Sequence, residues 1–246
     1  MDLEEALHLL RAAPERTGIF TDFDGTLSEI VDVPQSAAAT GGAAETLSAL
    51  AERFAVVTVV SGRSLDDLRL RLDVDGVLLA GSYGRERSDR RGGRRPAEGW
   101  EPVAAAAAAM IADLPGVVLE RKGAGVALHY RAVPELEERV RERAAVLAGE
   151  FELDVLPGRL VAELVAPGPG KADAIATIVT DHDLETLLVA GDDVADLEAF
   201  EWAKRADATS VLVAVTSEEA PPGLEAIADV VVGGPAELVA LLKRLA

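Results

Sequence analysis

Short apolar runs alternate with amphipathic stretches in the first third of the chain. The runs are rich in β-branched residues, as in residues 55–60, and each is followed by a polar turn or a helical pattern. Strands are predicted at 18–23, 55–60 and 76–80, and helices at 2–13, 43–53 and 64–72. Strands that alternate with helices at this spacing are typical of βαβ units, so we expect a parallel sheet with both faces covered.

The hydrophobic pattern changes between about residues 87 and 167. Two helical stretches each precede a pair of short strand patterns, and this order predicts a small α+β module with antiparallel pairing. The helices are predicted at 102–114 and 134–148, and the strands at 117–121, 125–131, 151–155 and 160–165. A turn at Pro157-Gly158 is expected to join the last two strands.

The alternation of strands and helices returns after Pro167-Gly168-Pro169-Gly170. Helices are predicted at 171–180, 196–205, 221–227 and 235–245, and strands at 186–190, 211–215 and 230–232. The predicted fold class is therefore α/β, with a doubly wound parallel-sheet core and an inserted α+β cap. The core is expected to comprise residues 1–98 and 168–246, and the cap residues 99–167, with linkers near 87–99 and 166–170.

Composition and charge narrow the classes of function. The 246 residues include 43 acidic and 24 basic side chains, which give a formal charge of −19, and a hydrophobic fraction of 49% is enough for a sizeable core. This charge repels the phosphates of nucleic acids and of anionic membranes, which argues against both as partners. An acidic N-terminus and the lack of ~18 consecutive apolar residues predict a cytoplasmic protein, for which we favour a monomer.

Two further features of the composition bear on function. Cysteine is absent, so disulfides, thiolate metal sites and cysteine nucleophiles are excluded. Basic residues are concentrated only in the segment Arg85–Arg95. We expect this segment to be an exposed hairpin, with an approach path for phosphate or a partner contact as the alternatives.

The strongest local signal is the run Asp22-Phe23-Asp24-Gly25-Thr26, directly after an apolar strand. Carboxylates at the end of a strand point into the crevice where open α/β sheets bind ligands. Gly25 permits a sharp turn, and Thr26 supplies a hydroxyl. Asp-Gly is also a common turn pair without function, but the preceding strand and the second aspartate weaken that interpretation.

A second acidic run, Gly191-Asp192-Asp193-Val194-Ala195-Asp196, also follows an apolar strand. Carboxylates at positions 192, 193 and 196 lie where this strand gives way to a helix. A set of oxygen ligands suits Mg²⁺. The alternative is helix capping, which stabilises a helix by about 1 kcal/mol without any function, and we expect one of the three aspartates to do this.

Two weaker signals concern the binding of an anion. Ser61, Gly62 and Arg63 end a strand and open a helix, where a hydroxyl, backbone N–H groups and a guanidinium can form a seat for phosphate, although Ser is also a common N-cap. Lys171 opens a helix, a position that the helix dipole makes unfavourable for a cation unless an anion is close.

These four sites, in this order, resemble the motifs of the haloacid dehalogenase-like phosphohydrolase superfamily. The resemblance implies that Asp22 attacks phosphorus and becomes an aspartyl phosphate. It also implies that Asp24 protonates the leaving alcohol and then activates water. Ser61 and Lys171 are implied to bind the phosphoryl oxygens.

The same resemblance implies Mg²⁺ as the cofactor. Its ligands would be Asp22, the backbone carbonyl of Asp24, and Asp192. Asp193 and Asp196 would support them.

Within the superfamily, the chain is similar to the trehalose-6-phosphate phosphatase family over about residues 17–240. The matching runs are DFDGTLSEIVDVP from residue 22, SGR from 61, GSYGRE from 81, ERK from 120, HYR from 129, Glu163, and GDDVADLEAF from 191. The resemblance implies that Glu120, Lys122 and Glu163 of the cap bind sugar hydroxyls and that Arg63 helps at the phosphate. From the residues alone, a solvated strand face would account for Glu120 and Lys122.

The expected activity is thus hydrolysis of a small sugar phosphate, trehalose 6-phosphate. The chain departs from the family pattern at three places: Ala172 stands where glycine is frequent, Ala166 where arginine is common, and Ala195 begins an altered run. The first two bear on the specificity for the sugar. The alternatives are a phosphatase for sucrose phosphate or mannosyl phosphoglycerate, a phosphomutase, and a non-catalytic sugar-phosphate sensor.

Overall fold

Two units make up the chain in this computed structural model, which describes residues 2–31, 33–88, 100–122, 125–158, 160–168, 170–217 and 220–246. The first unit comprises Met1–Gly93 and Pro169–Ala246, and the second comprises Arg94–Gly168. The predicted boundary between residues 98 and 99 lies outside the described residues.

The described residues form eleven strands and nine α-helices. The strands are β1 (Thr17–Thr21), β2 (Val56–Val60), β3 (Leu78–Gly81), β4 (Glu86–Arg87), β5 (Val118–Lys122), β6 (Gly125–His129), β7 (Asp154–Gly158), β8 (Val161–Val165), β9 (Thr186–Gly191), β10 (Thr209–Val215) and β11 (Val230–Val232). The helices are α1 (Leu3–Ala12), α2 (Ala43–Ala51), α3 (Leu65–Arg71), α4 (Trp100–Met110), α5 (Glu137–Phe151), α6 (Lys171–Asp181), α7 (Val194–Arg205), α8 (Leu224–Ile227) and α9 (Pro235–Lys243).

The sheet of the first unit has seven strands in the order β11-β10-β9-β1-β2-β3-β4. All neighbours are parallel except β3 and β4, which pair antiparallel at the edge. The order of the strands reverses between β1 and β9, as it does in doubly wound sheets. The predicted fold class is confirmed.

Helices cover both faces of this sheet, because the central strands are apolar on both sides. In β1, Ile19 belongs to a buried cluster with Leu47 of α2, whereas Phe20, the next residue, belongs to a second cluster with Phe200 of α7. Successive side chains of a strand point to opposite faces, so a continuous apolar run supplies both layers. The helices α1, α2 and α9 contribute to the first cluster, and α6, α7 and α8 to the second.

The second unit is an antiparallel sheet in the order β5-β6-β8-β7 with two helices. Its core contains Ala107 of α4, Leu147 of α5, Leu128 of β6 and Leu164 of β8. The α+β character predicted for this segment is confirmed.

The predicted boundary between α5 and β7 is wrong. The helix continues to Phe151, where Glu152 adopts a φ of +53° and the Leu153 N–H closes the turn on the carbonyl of Ala148. Pro157 and Gly158 belong to β7 rather than to a turn. Proline has no N–H for a ladder, but β7 is an edge strand, where this is tolerated.

The basic segment predicted as an exposed hairpin lies mostly outside the described residues. Within the described part, Arg87 contradicts that prediction, because its side chain is buried in edge strand β4 and pairs with Asp181 at 3.1 Å. No helix among the described residues has both the length and the apolar character needed to cross a membrane.

Candidate active site

The carboxyl ends of β1 and β9 place Asp22 and Asp192 at one edge of the first sheet. Asp22 follows β1, and its N–H donates to the carbonyl of Ala190 in β9 at 3.0 Å. Asp192 directly follows β9. Open α/β sheets bind ligands at the point where the strand order reverses, so both carboxylates lie where a ligand site is expected.

A tight turn after Asp22 brings Thr26 to Asp192. The carbonyl of Phe23 accepts the N–H groups of Leu27 and Ser28 at 2.8 and 2.9 Å, and the Thr26 hydroxyl donates to Asp192 Oδ1 at 3.1 Å. Gly25 has a φ of +75°, and a Cβ there would overlap the Asp192 carboxylate. Glycine is therefore required at this position both by its backbone conformation and by the close approach of Asp192.

Asp193 and Asp196 organise the start of α7. Asp193 is the N-cap, and its Oδ1 accepts the Asp196 N–H at 2.9 Å. In return, Asp196 Oδ2 accepts the N–H groups of Asp192 and Asp193 at 3.0 and 3.1 Å. The expectation that one of the three aspartates caps the helix is confirmed, and the reciprocal bonds also fix the loop that carries Asp192.

Lys171 is buried at the first turn of α6 among these carboxylates. Its Nζ lies 2.7 Å from Asp196 Oδ1, 3.0 Å from Asp22 Oδ1 and 3.7 Å from Asp193 Oδ1. Burial lowers the pKa of the Lys171 ammonium, but the surrounding carboxylates outweigh burial and raise that pKa well above its ordinary value. Lys171 is thus a fixed positive charge next to Asp22.

The buried acidic groups can hold a metal ion. One carboxylate oxygen from each of Asp22, Asp192 and Asp196 lies within 4.8 Å of the others. Burial, with smaller contributions from neighbouring carboxylates, raises the pKa of Asp22 and that of Asp192 to about 8, although Lys171 opposes both shifts. A bound cation reverses this cost by favouring the charged carboxylates, so the set of donors fits a divalent ion.

Ser61 and Gly62 form a loop that follows β2. The Ser61 N–H donates to the carbonyl of Ala80 at 3.0 Å, and the Ser61 hydroxyl accepts the N–H of Arg63 at 3.2 Å. A second loop supports this one: Tyr83, at a φ of +55°, donates its N–H to the carbonyl of Ser61 at 2.9 Å. A Cβ on Gly62 would overlap the Tyr83 ring, so Gly62 permits the two loops to pack closely.

The guanidinium of Arg63 donates hydrogen bonds to two carboxylates. Its Nε and Nη2 donate to the two oxygens of Asp24, each at 2.7 Å, and its Nη1 donates to Asp67 at 2.6 Å. Nη2 also donates to the carbonyl of Pro34 at 3.0 Å. The structure thus pairs Arg63 with Asp24, and the contact of Arg63 with phosphate stays a prediction.

The cap residues predicted to bind sugar share one face of the second sheet. Ala127 of β6 pairs with Glu120 of β5 on one side and with Glu163 of β8 on the other. Lys122 Nζ donates to Glu163 Oε1 at 2.6 Å, while Glu120 Oε2 lies 2.8 Å from His129 Nε2. Glu163 Oε2 is buried and has no hydrogen-bond partner among the described residues.

Ser217 contacts the site but was not predicted from the sequence. Its hydroxyl donates to Asp192 Oδ2 at 3.1 Å, opposite the bond from Thr26. The signal that would have found it is its position, because Ser217 follows β10 at the same edge of the sheet as the residues after β1 and β9.

Comparison with known proteins identifies relatives over most of the chain. The trehalose-phosphatase family model matches residues 20–226. A trehalose-phosphate phosphatase of Mycobacterium marinum is 39% identical over 202 residues, which cover 76% of this chain and 51% of that protein. An uncharacterized glycosyl hydrolase of Mycobacterium tuberculosis is 38% identical over 206 residues, which cover 76% of this chain and 15% of that protein. The chain therefore spans about half the length or less of these relatives.

A solved structure agrees with the fold. The crystal structure of a trehalose-6-phosphate phosphatase related protein superposes with a TM-score of 0.71 at 25% identity and covers 93% of this chain and 96% of that chain.

Proposed function

Because this chain belongs to the trehalose-phosphatase family of haloacid dehalogenase-like hydrolases, we propose that it hydrolyses trehalose 6-phosphate to trehalose and inorganic phosphate. The observation that carries the proposal is the buried cluster of Asp22, Lys171, Asp192 and Asp196 at the ligand-binding edge of the sheet. A nucleophilic carboxylate beside a fixed cation suits transfer of a phosphoryl group, whose oxygens carry negative charge.

In the proposed first step, an Asp22 carboxylate oxygen attacks phosphorus as the bond to the sugar oxygen breaks. Asp24 donates its proton to that leaving oxygen, which releases trehalose and leaves a phosphoryl group on Asp22. In the second step, Asp24 takes a proton from water, and the water oxygen attacks phosphorus as the bond between phosphorus and the Asp22 oxygen breaks. The products are inorganic phosphate and the original Asp22 carboxylate.

The phosphoryl oxygens are proposed to be bound by Ser61, Gly62 and Lys171. Lys171 already lies 3.0 Å from Asp22, so its charge is in place before the reaction begins. A preorganised charge of this kind stabilises the transition state without a further cost of reorganisation. Ser61 supplies a buried hydroxyl, and Gly62 supplies a backbone N–H at the start of the loop before α3.

Mg²⁺ is the proposed cofactor, held by Asp22, Asp192 and the backbone carbonyl of Asp24. When bound, it would supply positive charge that keeps these carboxylates ionised and offsets the charge of the phosphate. Asp196 is assigned to support rather than to direct ligation, because Lys171 and two backbone N–H groups already occupy its oxygens. Asp193 and Thr26 support the site through the capping and hydroxyl bonds described above.

Glu120, Lys122 and Glu163 are proposed to bind the hydroxyl groups of the sugar. The buried and unpartnered Oε2 of Glu163 supports this assignment, because a buried oxygen without a donor is costly and a sugar hydroxyl would satisfy it. The Glu163 carboxylate can accept a hydrogen bond from one sugar hydroxyl while the adjacent Lys122 ammonium donates to the neighbouring hydroxyl.

The test is release of inorganic phosphate by the full chain with Mg²⁺ from trehalose 6-phosphate, sucrose phosphate and mannosyl phosphoglycerate. We expect a clear preference for trehalose 6-phosphate and no turnover by Asp22→Asn, which should keep the far-UV circular dichroism spectrum of the folded wild type. Asp66→Asn, an exposed change of equal charge on α3, is the matched control and should remain active. Equal rates on all three substrates would contradict the proposed specificity, and an isomerised sugar phosphate in place of free phosphate would indicate a mutase.

A further inference from the structure

The pairing of Arg63 with Asp24 has the geometry of a bidentate guanidinium–carboxylate contact. Two different nitrogens reach two different oxygens, both at 2.7 Å, and the Arg63 side chain is only 11% exposed. The planar guanidinium matches a carboxylate in this way, which fixes the orientation of the carboxylate as well as its position.

The other donors of Arg63 anchor it to the scaffold of the first unit. One bond goes to Asp67 on α3 and one to the carbonyl of Pro34. Asp67 is held in turn by Arg71, whose Nε and Nη2 reach its two oxygens at 2.8 and 2.9 Å. Arg71 also donates to the carbonyls of Gln35 and Ala37. Asp67 and Pro34 therefore hold the guanidinium of Arg63 in addition to Asp24.

The count of donors argues against a phosphate ligand. A guanidinium has five N–H groups, and Arg63 donates four hydrogen bonds to Asp24, Asp67 and Pro34. One N–H group is left for any other acceptor. Asp24, by contrast, keeps a second lone pair on each oxygen for the proton that it exchanges.

We propose that Arg63 is a positioning residue for Asp24, holding its carboxylate in the orientation that serves proton transfer to the leaving oxygen. The inference rests on the proposed function only in that Asp24 is the proton donor of a phosphoryl transfer. It replaces the assignment of Arg63 to the phosphate. The ion pairs from Asp24 through Arg63 and Asp67 to Arg71 join the nucleophile loop to α3.

Leaving groups of different basicity separate this role from phosphate binding. A sugar alkoxide must be protonated as it leaves, whereas the leaving groups of 4-nitrophenyl phosphate and acetyl phosphate are stable anions. The parameter kcat/KM reports the steps up to loss of the leaving group. For Arg63→Ala we expect kcat/KM on trehalose 6-phosphate to fall roughly 100-fold, as for loss of a general acid. On the activated phosphates we expect a fall of less than about fivefold, since they need no proton.

Two further variants guard against a general structural defect. Arg69→Ala removes an arginine of α3 whose ion pair is with the exposed Asp66, so its ratio of activities on the two substrate types should remain that of the wild type. Arg63→Lys keeps the charge but loses the planar fork of donors, so it should show the same selective loss. It replaces Arg63→Ala in the test if the alanine variant does not fold. Added guanidinium ion should restore part of the activity of Arg63→Ala on trehalose 6-phosphate.

The opposite results are equally distinct. Equal losses on both substrate types, with a weaker inhibition by inorganic phosphate, would show that Arg63 binds phosphate and would overturn the inference. An equal shift of the ratio by Arg69→Ala would show that the loss is a general structural effect and would overturn the positioning role of Arg63. If the wild type prefers another sugar phosphate, such as glucose 6-phosphate, the proposed function fails, and the same comparison made with that substrate still decides the role of Arg63.

Discussion

Thr26 donates a hydrogen bond from its hydroxyl to Oδ1 of Asp192 at 3.1 Å, although the two residues are 166 positions apart in the chain. Ser217 donates to the other oxygen at the same distance. Bonds of this kind orient a metal ligand, and their loss typically weakens metal binding 10- to 100-fold. We therefore expect Thr26→Val to weaken Mg²⁺ binding roughly tenfold in isothermal titration calorimetry, and Ser217→Ala to act in the same direction.

Thr177→Val is the control for this prediction. Thr177 is exposed on α6 and donates to the carbonyl of Asp173, so the change removes a hydroxyl of the same type away from the site. Its Mg²⁺ affinity should equal that of the wild type. An unchanged affinity in both Thr26→Val and Ser217→Ala would exclude Asp192 as a ligand that depends on its hydroxyl partners.

The raised pKa values of Asp22 and Asp192 predict how stability depends on pH without metal. A carboxyl with a pKa of about 8 in the folded protein and 3.8 unfolded binds its proton more tightly when folded. Its contribution to the free energy of unfolding is therefore full at low pH and is lost as the pH rises from about 4 to about 8. We expect the unfolding temperature in EDTA to fall over this range, and Mg²⁺ to restore it most at the upper end.

Asp192→Asn tests whether the buried carboxylates cause this fall of the unfolding temperature with pH. The amide does not titrate, so the variant should lose much of the dependence on pH in thermal unfolding followed by circular dichroism. Asp66→Asn makes the same change in charge at an exposed position and should keep the slope of the wild type. If both variants give the same slope, general repulsion within an acidic protein causes the effect, and the buried carboxylates do not.

The strands and the aspartates of the site could be predicted from the sequence because each depends on a local pattern. Apolar runs of β-branched residues gave the strands, and Asp22 and Asp192 are each the first residue after such a run. In a parallel sheet the carboxyl ends of the strands share one edge, so the order of elements places both residues at that edge, and the pairing of β1 with β9 makes them neighbours.

Side-chain pairing was out of reach because it depends on how loops pack. Nothing in the run Ser61-Gly62-Arg63 distinguishes an arginine that faces a phosphate from one that faces Asp24. In the structure, Asp67 and the carbonyl of Pro34 hold the guanidinium beside Asp24, and that run signals neither contact. The end of α5 was missed for a related reason, since Glu152 takes a left-handed conformation that its residue type does not signal.

Gly25→Ala should disturb the site more than the strain of the backbone alone explains. The φ of +75° costs of the order of 1–3 kcal/mol for a residue with a Cβ, and that Cβ would also displace the Asp192 carboxylate. We expect a lower unfolding temperature together with a fall in kcat of at least about 100-fold, of the size seen when reacting groups are misplaced.

Gly223→Ala provides the comparison. Gly223 has a φ of +102° but no neighbouring atom within 4 Å of the added Cβ, so the substitution brings strain without a clash. It should lower the unfolding temperature and leave turnover unchanged. A Gly25→Ala variant that is destabilised to the same degree and still fully active would show that the contact with Asp192 is not needed.

Glu163→Gln tests the assignment of the cap to the sugar. The glutamine amide keeps an oxygen that can accept from Lys122. The other carboxylate oxygen, which is buried without a donor in the wild type, is replaced by an NH₂ group that cannot accept a hydrogen bond from a hydroxyl. We expect KM for trehalose 6-phosphate to rise roughly tenfold, the scale of one lost hydrogen bond to a charged group, with kcat changed less than about threefold. Inhibition by inorganic phosphate should be unaffected, because inorganic phosphate has no sugar to contact Glu163.

Glu101→Gln, an exposed change in the same unit, should leave KM, kcat and the inhibition by phosphate unchanged. A Glu163→Gln variant with normal KM, or with phosphate inhibition weakened in step with KM, would remove Glu163 from the sugar site.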